Sequence, residues 1–377
     1  MPTTTRTKTR KLNSKLKKIT KKPEPRKPVW NGPEVDGVTQ SMLGRYLVCK
    51  ERFRVTALEG WRPNEGFRPP LEYGNMIHLC EEMHGMGKDW KAPLKKFCIE
   101  LTQQYHNQTQ DVDKWYRVCL AQYPIYLNYW KHHPDEKKRT PIQYEQEFRI
   151  PYELPSGRTV NLMGKIDGLD VIGRGRNAYS AMKENKARGN YNKLKLMNDL
   201  TFDLQTMTYF VATLKAAELG MIDLPAPLNR IRYNIIRRPL SGGAKGNIRQ
   251  KKGSKNIPPE TTAEYFARLE EVLTEHQDEY YHRFEVHVTK KDVDYFENIF
   301  LKPCLEELCN WYSTQTGVGE PDGKTYHYRL PYGIYNNVME GMTGEIDEYL
   351  RTGSTVGMNR VTDMFPELDY TVGTNNV

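Results

Sequence analysis

Hydrophobic residues recur at helical spacing in the first third of the chain. This spacing predicts helices over residues 39–56, 71–87 and 90–133, the second of which carries His78. The third segment is rich in Trp and Tyr. An aromatic stripe at helical spacing usually packs into a core, and we interpret this one in that way.

The pattern changes to alternation near residue 143. Residues 143–154, 159–172 and 178–186 alternate between apolar and polar side chains, with short polar turns between them. This predicts three antiparallel strands in a meander. Further along the chain we predict a helix over 198–219, a strand over 228–237, a helix over 260–280, a strand over 283–289, a helix over 291–312 and loop-like chain over 313–377.

Helices on both sides of such strands predict an α/β fold, in which a central mixed β-sheet is flanked by helices. Residues 80–140 are interpreted as a helical insertion.

The positive charge of the chain is concentrated at its start. The sequence has 56 Lys and Arg against 47 Asp and Glu, a net charge of +9. Residues 1–28 hold eleven of the basic residues and one acid, Glu24, so the rest of the chain sums to −1. We predict a disordered basic arm that binds a polyanion such as nucleic acid. A solubilising or targeting tail explains this composition equally well.

Composition excludes several protein classes. Hydrophobic residues make up 38% of the chain, which argues against a disordered or fibrous protein. No run approaches the roughly 18 apolar residues of a membrane span, and the basic start lacks the apolar stretch of a signal peptide. The six cysteines form no C-x-x-C pair and are expected to be free thiols. We therefore expect a soluble, cytoplasmic protein without membrane contact.

Three charged residues on neighbouring predicted strands form the candidate reaction centre. Glu184 and Lys186 project from the same side of their strand because side chains alternate, and a hairpin connection places Asp167 beside them. Asp167 and Glu184 offer hard oxygen ligands for Mg²⁺ or Mn²⁺, and the Asn185 carbonyl offers another. Lys186 could hold the attacking water and stabilise charge on a phosphate, as phosphodiester hydrolysis requires.

Each candidate also has a less specific explanation. An acid-x-Lys pattern alone is common on solvated strand edges, and His78 alone fits a helix surface or core. Gln205 and Tyr209, four residues apart on one helical face, could simply pack that helix onto the sheet.

Three other carboxylates lie near the candidate centre. Asp170 is expected in a turn or salt bridge. Glu145 and Glu147 are expected to face solvent, although one of them could reach the metal. For the Asp, Glu and Lys of the reaction centre the functional explanation is favoured, because burying three charges together without a metal costs several kcal/mol.

Taken together, these residues resemble the motifs of the PD-(D/E)XK nuclease superfamily, in particular its RecB-type exonuclease branch. That branch is marked by G-x-x-D, (D/E)-x-K and Q-x-x-x-Y, which correspond to Gly164-Lys-Ile-Asp167, Glu184-Asn-Lys186 and Gln205-Thr-Met-Thr-Tyr209. The helix that begins near Ser41 and the segment Tyr73-Gly-Asn-Met-Ile-His78 resemble the two upstream elements of the family. The resemblance covers roughly residues 39–300.

The resemblance implies a restriction-endonuclease-like α/β core. It also implies that His78, Asp167 and Glu184 are metal ligands, that Lys186 is catalytic, and that Gln205 and Tyr209 contact DNA or support the site. The literal Pro-Asp of the family is Ile166-Asp167 here. Some relatives carry a four-cysteine iron–sulfur cluster, but the late cysteines are missing, so no such cluster is expected.

A basic loop covers residues 237–255, with seven Lys or Arg, four glycines and no acid. We predict that it follows the phosphates of a nucleic acid, and a solvated surface loop explains it equally well. The predicted DNA contacts here are Arg237, Arg238, Lys245, Arg249, Lys251 and Lys252. This loop and the basic arm are similar to those of bacteriophage nucleases.

The combined pattern favours a Mg²⁺- or Mn²⁺-dependent DNA nuclease, an exonuclease of DNA repair, recombination or phage DNA processing. Its partners would be single- or double-stranded DNA and a recombination or helicase protein in a separate chain, in a bacterial or phage-infected cell. The predicted domains are the arm, a nuclease domain over 29–312 and a loop-rich extension over 313–377. The alternatives are a catalytically silent DNA-binding protein with the same fold, a structure-specific endonuclease and an RNA-directed nuclease.

Overall fold

The computed structural model of the protein describes residues 29–189, 192–239, 248–316, 344–365 and 368. The basic arm predicted over residues 1–28 and the predicted DNA contact Lys245 lie outside these residues.

The described chain contains both strands and helices. The strands are β1 (Val38–Thr39), β2 (Trp61–Pro63), β3 (Arg139–Glu153), β4 (Thr159–Ile172), β5 (Tyr179–Arg188), β6 (Leu228–Arg237), β7 (Tyr281–His287) and β8 (Met358–Arg360). The helices are α1 (Gln40–Val48), α2 (Lys50–Phe53), α3 (Pro69–Gly85), α4 (Lys91–Gln104), α5 (Thr109–His132), α6 (Lys193–Thr201), α7 (Leu204–Glu218), α8 (Thr262–Glu275), α9 (Gln277–Tyr280), α10 (Lys290–Tyr295), α11 (Lys302–Thr316) and α12 (Gly344–Thr352).

The central sheet has the strand order β3-β4-β5-β6-β7, and β1 joins it beside β4. β3, β4 and β5 are antiparallel neighbours, as the predicted meander requires. β5 and β6 are parallel because the chain crosses over through α6 and α7 between them, and β7 is antiparallel to β6. The prediction of a mixed sheet is confirmed.

One edge of β4 changes partner along its length. β1 pairs with Leu162 and Met163, whereas β5 pairs with residues 168–172. Between these two partners, residues 164–167 of β4 pair with no described strand on this edge. We call this interval the sheet gap. The sheet gap coincides with the G-x-x-D motif, Gly164 to Asp167.

Helices cover both faces of the sheet. Alternating residues of β6 show the two layers: Tyr233 and Ile235 pack into a core with α1, α7 and α11, whereas Ile236 packs into a second core with α3, α4, α5 and α8. The predicted α/β architecture, a central sheet flanked by helices, is therefore confirmed. None of the described helices combines the length and the apolar composition needed to cross a bilayer.

Several segments predicted as continuous helices are divided in the structure, among them 90–133 and 198–219. The first breaks at the polar residues 105–108, between α4 and α5. The second breaks before α7, where the Asp203 side chain accepts a hydrogen bond from the Thr206 N–H at 3.1 Å. Such a cap ends the helical pattern and starts a new helix. It places Gln205 in the first turn of α7, at the sheet.

The prediction that residues 313–377 are loop-like is wrong for part of the segment. α11 continues to Thr316, α12 follows at Gly344–Thr352, and β8 pairs antiparallel with β2. Ile346 of α12 is buried in a small core with Cys49, Val55 and Met358. The helix is short and surrounded by Gly and Asn, so tertiary packing rather than local pattern stabilises it.

The cysteines are packing groups of the core. All six are free thiols, of which five are buried and Cys304 is half-buried. The Sγ atoms of Cys80 and Cys119 lie 3.8 Å apart between α3 and α5. Buried thiols of this kind behave as small apolar side chains.

Candidate functional site

Asp167 lies where β4 and β5 separate. The pairing of the two strands ends at Gly168 and Lys183. Beyond that point the N–H of Asn185 donates to the Asp167 carboxylate instead, with a nitrogen to Oδ2 distance of 2.6 Å. The Asp167 side chain thus replaces a ladder bond at the sheet gap, which fixes one carboxylate oxygen and leaves Oδ1 for other partners.

His78 and Glu145 lie beside this carboxylate. Ligand atoms of His78, Glu145 and Asp167 all lie within 4.8 Å of one another, and we call these three residues the acidic cluster. His78 comes from α3, and its Nδ1 is 3.4 Å from Asp167 Oδ1. Glu145 comes from β3, where its neighbours Tyr144 and Gln146 pair with Gly168 and Ile166, so it lies opposite Asp167.

The expectation that Glu145 faces solvent is wrong. Its side chain is only 6% exposed, and its Oε2 lies 3.2 Å from Lys165 Nζ. Its Oε1 is buried without a hydrogen-bond partner among the described residues. The backbone φ of Glu145 is +44°, a conformation that residues other than glycine rarely adopt unless their surroundings impose it. Its register opposite Asp167 is the signal that could have identified it from sequence.

Glu184 and Lys186 lie next to the acidic cluster on β5. Glu184 is 1% exposed, and its Oε1 is 2.6 Å from Lys186 Nζ. The same Nζ donates to Gln205 Oε1 at 2.7 Å. The ammonium group is therefore held between β5 and the first turn of α7. The carboxylate oxygens of Glu184 are not among the ligand atoms that all lie within 4.8 Å of one another.

The closely spaced carboxylates of the site shift the pKa values of its side chains. Burial, together with the charge of Asp167, raises the pKa of Glu145 and of Glu184 to about 7, although nearby Lys side chains oppose the shift. Burial would also raise the pKa of Asp167, but the His78 charge and the Asn185 hydrogen bond hold it below its usual value. For His78, burial lowers the pKa, yet the surrounding carboxylates outweigh it and the pKa rises to about 9. A cation among these groups would relieve their repulsion.

The donor set fits a hard divalent cation. Carboxylate oxygens are the ligands that Mg²⁺ and Mn²⁺ prefer, whereas imidazole nitrogen is more typical of transition-metal sites. Glu145 Oε1 supplies a buried acceptor that has no hydrogen-bond partner among the described groups. The other oxygen of Glu145, Oε2, contacts Lys165, and Oδ2 of Asp167 accepts a hydrogen bond from the Asn185 N–H. These two contacts orient both carboxylates.

Tyr209 of α7 packs directly against β4 at Gly164. A Cβ on Gly164 would lie 2.7 Å from the Tyr209 ring and 2.9 Å from the Phe148 ring. These two rings meet edge to face with centroids 5.4 Å apart. The absence of a side chain at Gly164 therefore lets α7 approach the sheet closely enough for Gln205 to reach Lys186.

Two lysines attach α3, the helix of His78, to the sheet. Lys183 Nζ is 2.8 Å from Glu81 Oε2, and both side chains are nearly inaccessible to solvent, at 7% and 6% exposure. The Tyr123 hydroxyl donates to the other oxygen of Glu81 at 3.0 Å. On β4, Lys165 Nζ is 3.0 Å from Glu82 Oε2. Sequence reasoning missed these supports; the one signal on β5 was Lys183, a Lys on the opposite side of the strand from Glu184.

Two further predicted residues lie on the same strands. The Asn185 side chain accepts a hydrogen bond from Asn234 Nδ2 at 3.0 Å, so its amide is directed to β6, and its carbonyl as a metal ligand stays a prediction. Asp170 Oδ1 is 2.8 Å from Arg139 Nε, which confirms the salt bridge expected for it.

The predicted DNA contacts lie at and beyond the end of β6. The Arg237 guanidinium lies over the Tyr280 ring, 5.8 Å from its centroid, and the Arg238 N–H donates to a main-chain carbonyl of β5 at 2.7 Å. Arg249, Lys251 and Lys252 are exposed. Their contact with DNA stays a prediction.

The arrangement agrees with a comparison to known families. The model of the PD-(D/E)XK nuclease superfamily matches residues 38–310, from β1 into α11. None of the curated proteins compared with the chain matches it significantly. Nucleases of this superfamily typically use divalent metals, in agreement with the acidic cluster.

Proposed function

Because the chain belongs to the PD-(D/E)XK nuclease superfamily, we propose that it is a divalent-metal-dependent DNA nuclease of the RecB type that degrades DNA from an end. One observation carries the proposal: the acidic cluster and the Glu184–Lys186 pair meet at the sheet gap. A cation site beside a fixed ammonium group can stabilise the charge that develops on a phosphate during hydrolysis.

The residues that would hold the metal are His78, Glu145 and Asp167, with Glu184 beside them. A bound Mg²⁺ or Mn²⁺ would act as a Lewis acid toward a phosphate oxygen. Glu145 brings a buried oxygen that has no hydrogen-bond partner among the described residues, and Asp167 brings one oriented by the Asn185 N–H on its other oxygen. Preorientation of this kind lowers the cost of binding because the ligands need not be rearranged.

Lys186 is the proposed catalytic cation. Its Nζ is held by Glu184 and Gln205 and retains a third N–H, with which it can position the attacking water. Its positive charge stands beside the acidic cluster, where it would stabilise negative charge on the phosphate. Gln205 and Tyr209 act by holding α7 and the ammonium group in place.

The proposals for ion, substrate, partner and location rest on the order of the motifs and on the composition of the chain. The proposed ion is Mg²⁺ or Mn²⁺, and the proposed substrate is single- or double-stranded DNA. A recombination or helicase protein in a separate chain is the proposed partner, in the cytoplasm of a bacterial or phage-infected cell. The order of G-x-x-D, E-x-K and Q-x-x-x-Y supports the RecB-type assignment.

The experiment is a cleavage assay with end-labelled linear DNA and closed circular DNA in Mg²⁺, Mn²⁺ or EDTA. The wild-type protein should degrade linear DNA in at least one metal and not in EDTA. Glu184→Gln keeps the side-chain size but removes the charge, and it should be slower by about a hundredfold or more. Glu153→Gln, an exposed position on β3, should cleave at the wild-type rate.

The circular substrate separates the two modes of cleavage. Sparing of the circle supports an exonuclease, whereas its cleavage shows an endonuclease. Salt-sensitive binding without cleavage of any DNA in either metal would refute the nuclease proposal and favour a silent DNA-binding protein.

A further inference from the structure

Three arginines lie side by side along the backbone at the carboxyl ends of β5 and β6. Arg188 and Arg237 are paired in the parallel ladder, and the Arg238 N–H donates to the Arg188 carbonyl at 2.7 Å. Arg188 lies two residues beyond Lys186, so it projects from the same side of β5 as Lys186 and Glu184. We call Arg188, Arg237 and Arg238 the arginine cluster.

Among the described residues, the arginine cluster lacks the carboxylate partners that Arg139 and Arg283 of the same sheet have. Among the described residues, the Nε atom of each member is buried without a hydrogen-bond partner, and no carboxylate forms an ion pair with any of the three. By contrast, Arg139 and Arg283 on the same sheet each contact carboxylates, at 2.8 and 2.5 Å. Arg237 packs against an aromatic side chain, since its guanidinium lies over the Tyr280 ring, 5.8 Å from the centroid.

This arrangement is unfavourable for the protein alone. Burial, and after it the like charge of Arg188, lowers the pKa of Arg238, and only the Tyr73 hydroxyl opposes the shift. A half-buried guanidinium that lacks an anion loses solvation without compensation. An anion brought to the cluster would supply that compensation. Phosphate suits it best, because the planar fork of a guanidinium matches two phosphate oxygens.

We propose that the arginine cluster is a phosphate subsite that takes a substrate phosphate next to the one that is cleaved. The proposal rests on the proposed nuclease function and adds to it the element that sets the register of the DNA strand. The step from Lys186 to Arg188 covers about 7 Å along a strand. A phosphate held there fixes which bond of the strand reaches the acidic cluster.

The phosphate can be an internal diester or a terminal monoester. The shared chemistry is a phosphate held by guanidinium forks, and the two sources differ in charge. A diester carries one negative charge, whereas a monoester carries about −1.5 to −2 at neutral pH, closer to the charge of three arginines.

The test measures equilibrium binding of a fluorescent oligonucleotide by anisotropy, in EDTA and over a series of salt concentrations. Arg188→Gln, Arg237→Gln and Arg238→Gln should each weaken binding about tenfold and reduce the slope of log affinity against log salt by about one. Arg176→Gln is the matched control, because it removes the same charge from an exposed turn at the other end of β5, and it should bind as the wild type does.

Substrate ends and conservative variants complete the test. A terminal-phosphate subsite predicts that removal of the 5′- or the 3′-phosphate weakens wild-type binding and leaves the Gln variants unchanged. An internal subsite predicts that end phosphorylation has no effect while the variants still bind weakly.

Arg188→Lys keeps the charge and loses the planar fork of the guanidinium, and it should bind with intermediate affinity. It also replaces the Gln variant if that variant does not fold.

Two results distinguish failure of the subsite from failure of the nuclease proposal. Gln and Lys variants that bind like Arg176→Gln would overturn the subsite, even where the wild type cleaves DNA in Mg²⁺. A wild-type protein that cleaves nothing, but whose binding depends on the three arginines, would overturn the nuclease proposal and support the subsite.

Discussion

At the scale of single residues, Glu145 shows how backbone conformation directs a side chain into a site. Its φ of +44° directs the carboxylate to Asp167 and His78. Lys165 holds one oxygen and leaves the other buried without a hydrogen-bond partner among the described residues. A strained backbone is tolerated here because the two neighbouring strand pairs fix the chain on both sides.

Removal of the Glu145 charge should weaken metal binding. Glu145→Gln keeps the size of the side chain but loses an anionic ligand, so affinity for Mn²⁺ should fall about tenfold or more. Isothermal calorimetry of the protein without DNA measures this directly. Glu153→Gln, exposed on the same strand, is the control and should bind as the wild type does. Equal affinity of the two variants would exclude Glu145 as a ligand.

Gly164 sets the distance between α7 and the sheet. In Gly164→Ala the new Cβ would overlap the Tyr209 and Phe148 rings, so the free energy of unfolding should fall by about 1–3 kcal/mol. Cleavage should also slow, because Gln205 would retreat from Lys186. Gly74→Ala on α3 is the control: its Cβ meets nothing within 4 Å, and the helix should gain roughly 0.5–1 kcal/mol. Urea unfolding of both variants checks the pair, and equal stabilities would contradict the packing argument.

At the scale of elements, the position of α3 depends on a buried ion pair. The helix carries His78 into the acidic cluster, and Glu81 on the same helix is paired with Lys183 of β5. Both charges are nearly inaccessible to solvent, so each one needs the other.

Loss of one partner of the Lys183–Glu81 pair should lower the free energy of unfolding more than loss of both charges. Lys183→Met leaves Glu81 buried without its cation and should lower the free energy of unfolding by about 3–5 kcal/mol. The double variant Lys183→Met/Glu81→Gln removes both charges and keeps an acceptor for the Tyr123 hydroxyl, so it should regain most of the loss. Urea unfolding measures the cycle. A double variant no more stable than Lys183→Met would show that the pair is not the source of the effect.

At the scale of the whole molecule, Glu136 ties the two outermost strands of the β3-to-β7 path together. It follows α5 and contacts Arg139 of β3 at 2.9 Å and Arg283 of β7 at 2.5 Å. Arg283 in turn lies over the Trp130 ring of α5, 3.7 Å from its centroid. One carboxylate thus links the helical layer to both ends of the path.

These contacts predict a dependence of stability on pH. Burial would raise the pKa of Glu136, but the two arginines outweigh it and lower the pKa from 4.5 to about 2. A lowered pKa in the folded state means that the contribution, on the order of 3 kcal/mol, is complete above pH 4.5 and is lost as the pH falls toward 2.

The measurement is the free energy of unfolding from pH 7 to pH 2. Glu136→Gln should be less stable than the wild type at pH 7, and the difference should shrink below pH 4.5. The exposed Glu153→Gln should follow the wild-type curve throughout. A difference that stays constant over this range would show that the Glu136 charge is not responsible.

Local pattern was sufficient for much of this fold. Alternation predicted β3, β4 and β5, and the short turns between them made the strands antiparallel neighbours, which placed Asp167 beside Glu184. Strand periodicity also put Glu184 and Lys186 on one side. These features depend on residues close in sequence, whose backbone geometry determines where the side chains project.

Only the tertiary structure decided which distant residues join them. The approach of His78 to Asp167, the turn of Glu145 into the acidic cluster and the burial of Ile346 against Val55 each depend on how separate elements pack. Periodicity shows which side of an element is apolar but not which other element covers that side. In the same way, the sequence does not show whether a Lys or Arg side chain will face a carboxylate. The sequence therefore determined the strands and the motif. Packing determined which charges found partners and which, like Arg188, have none among the described residues.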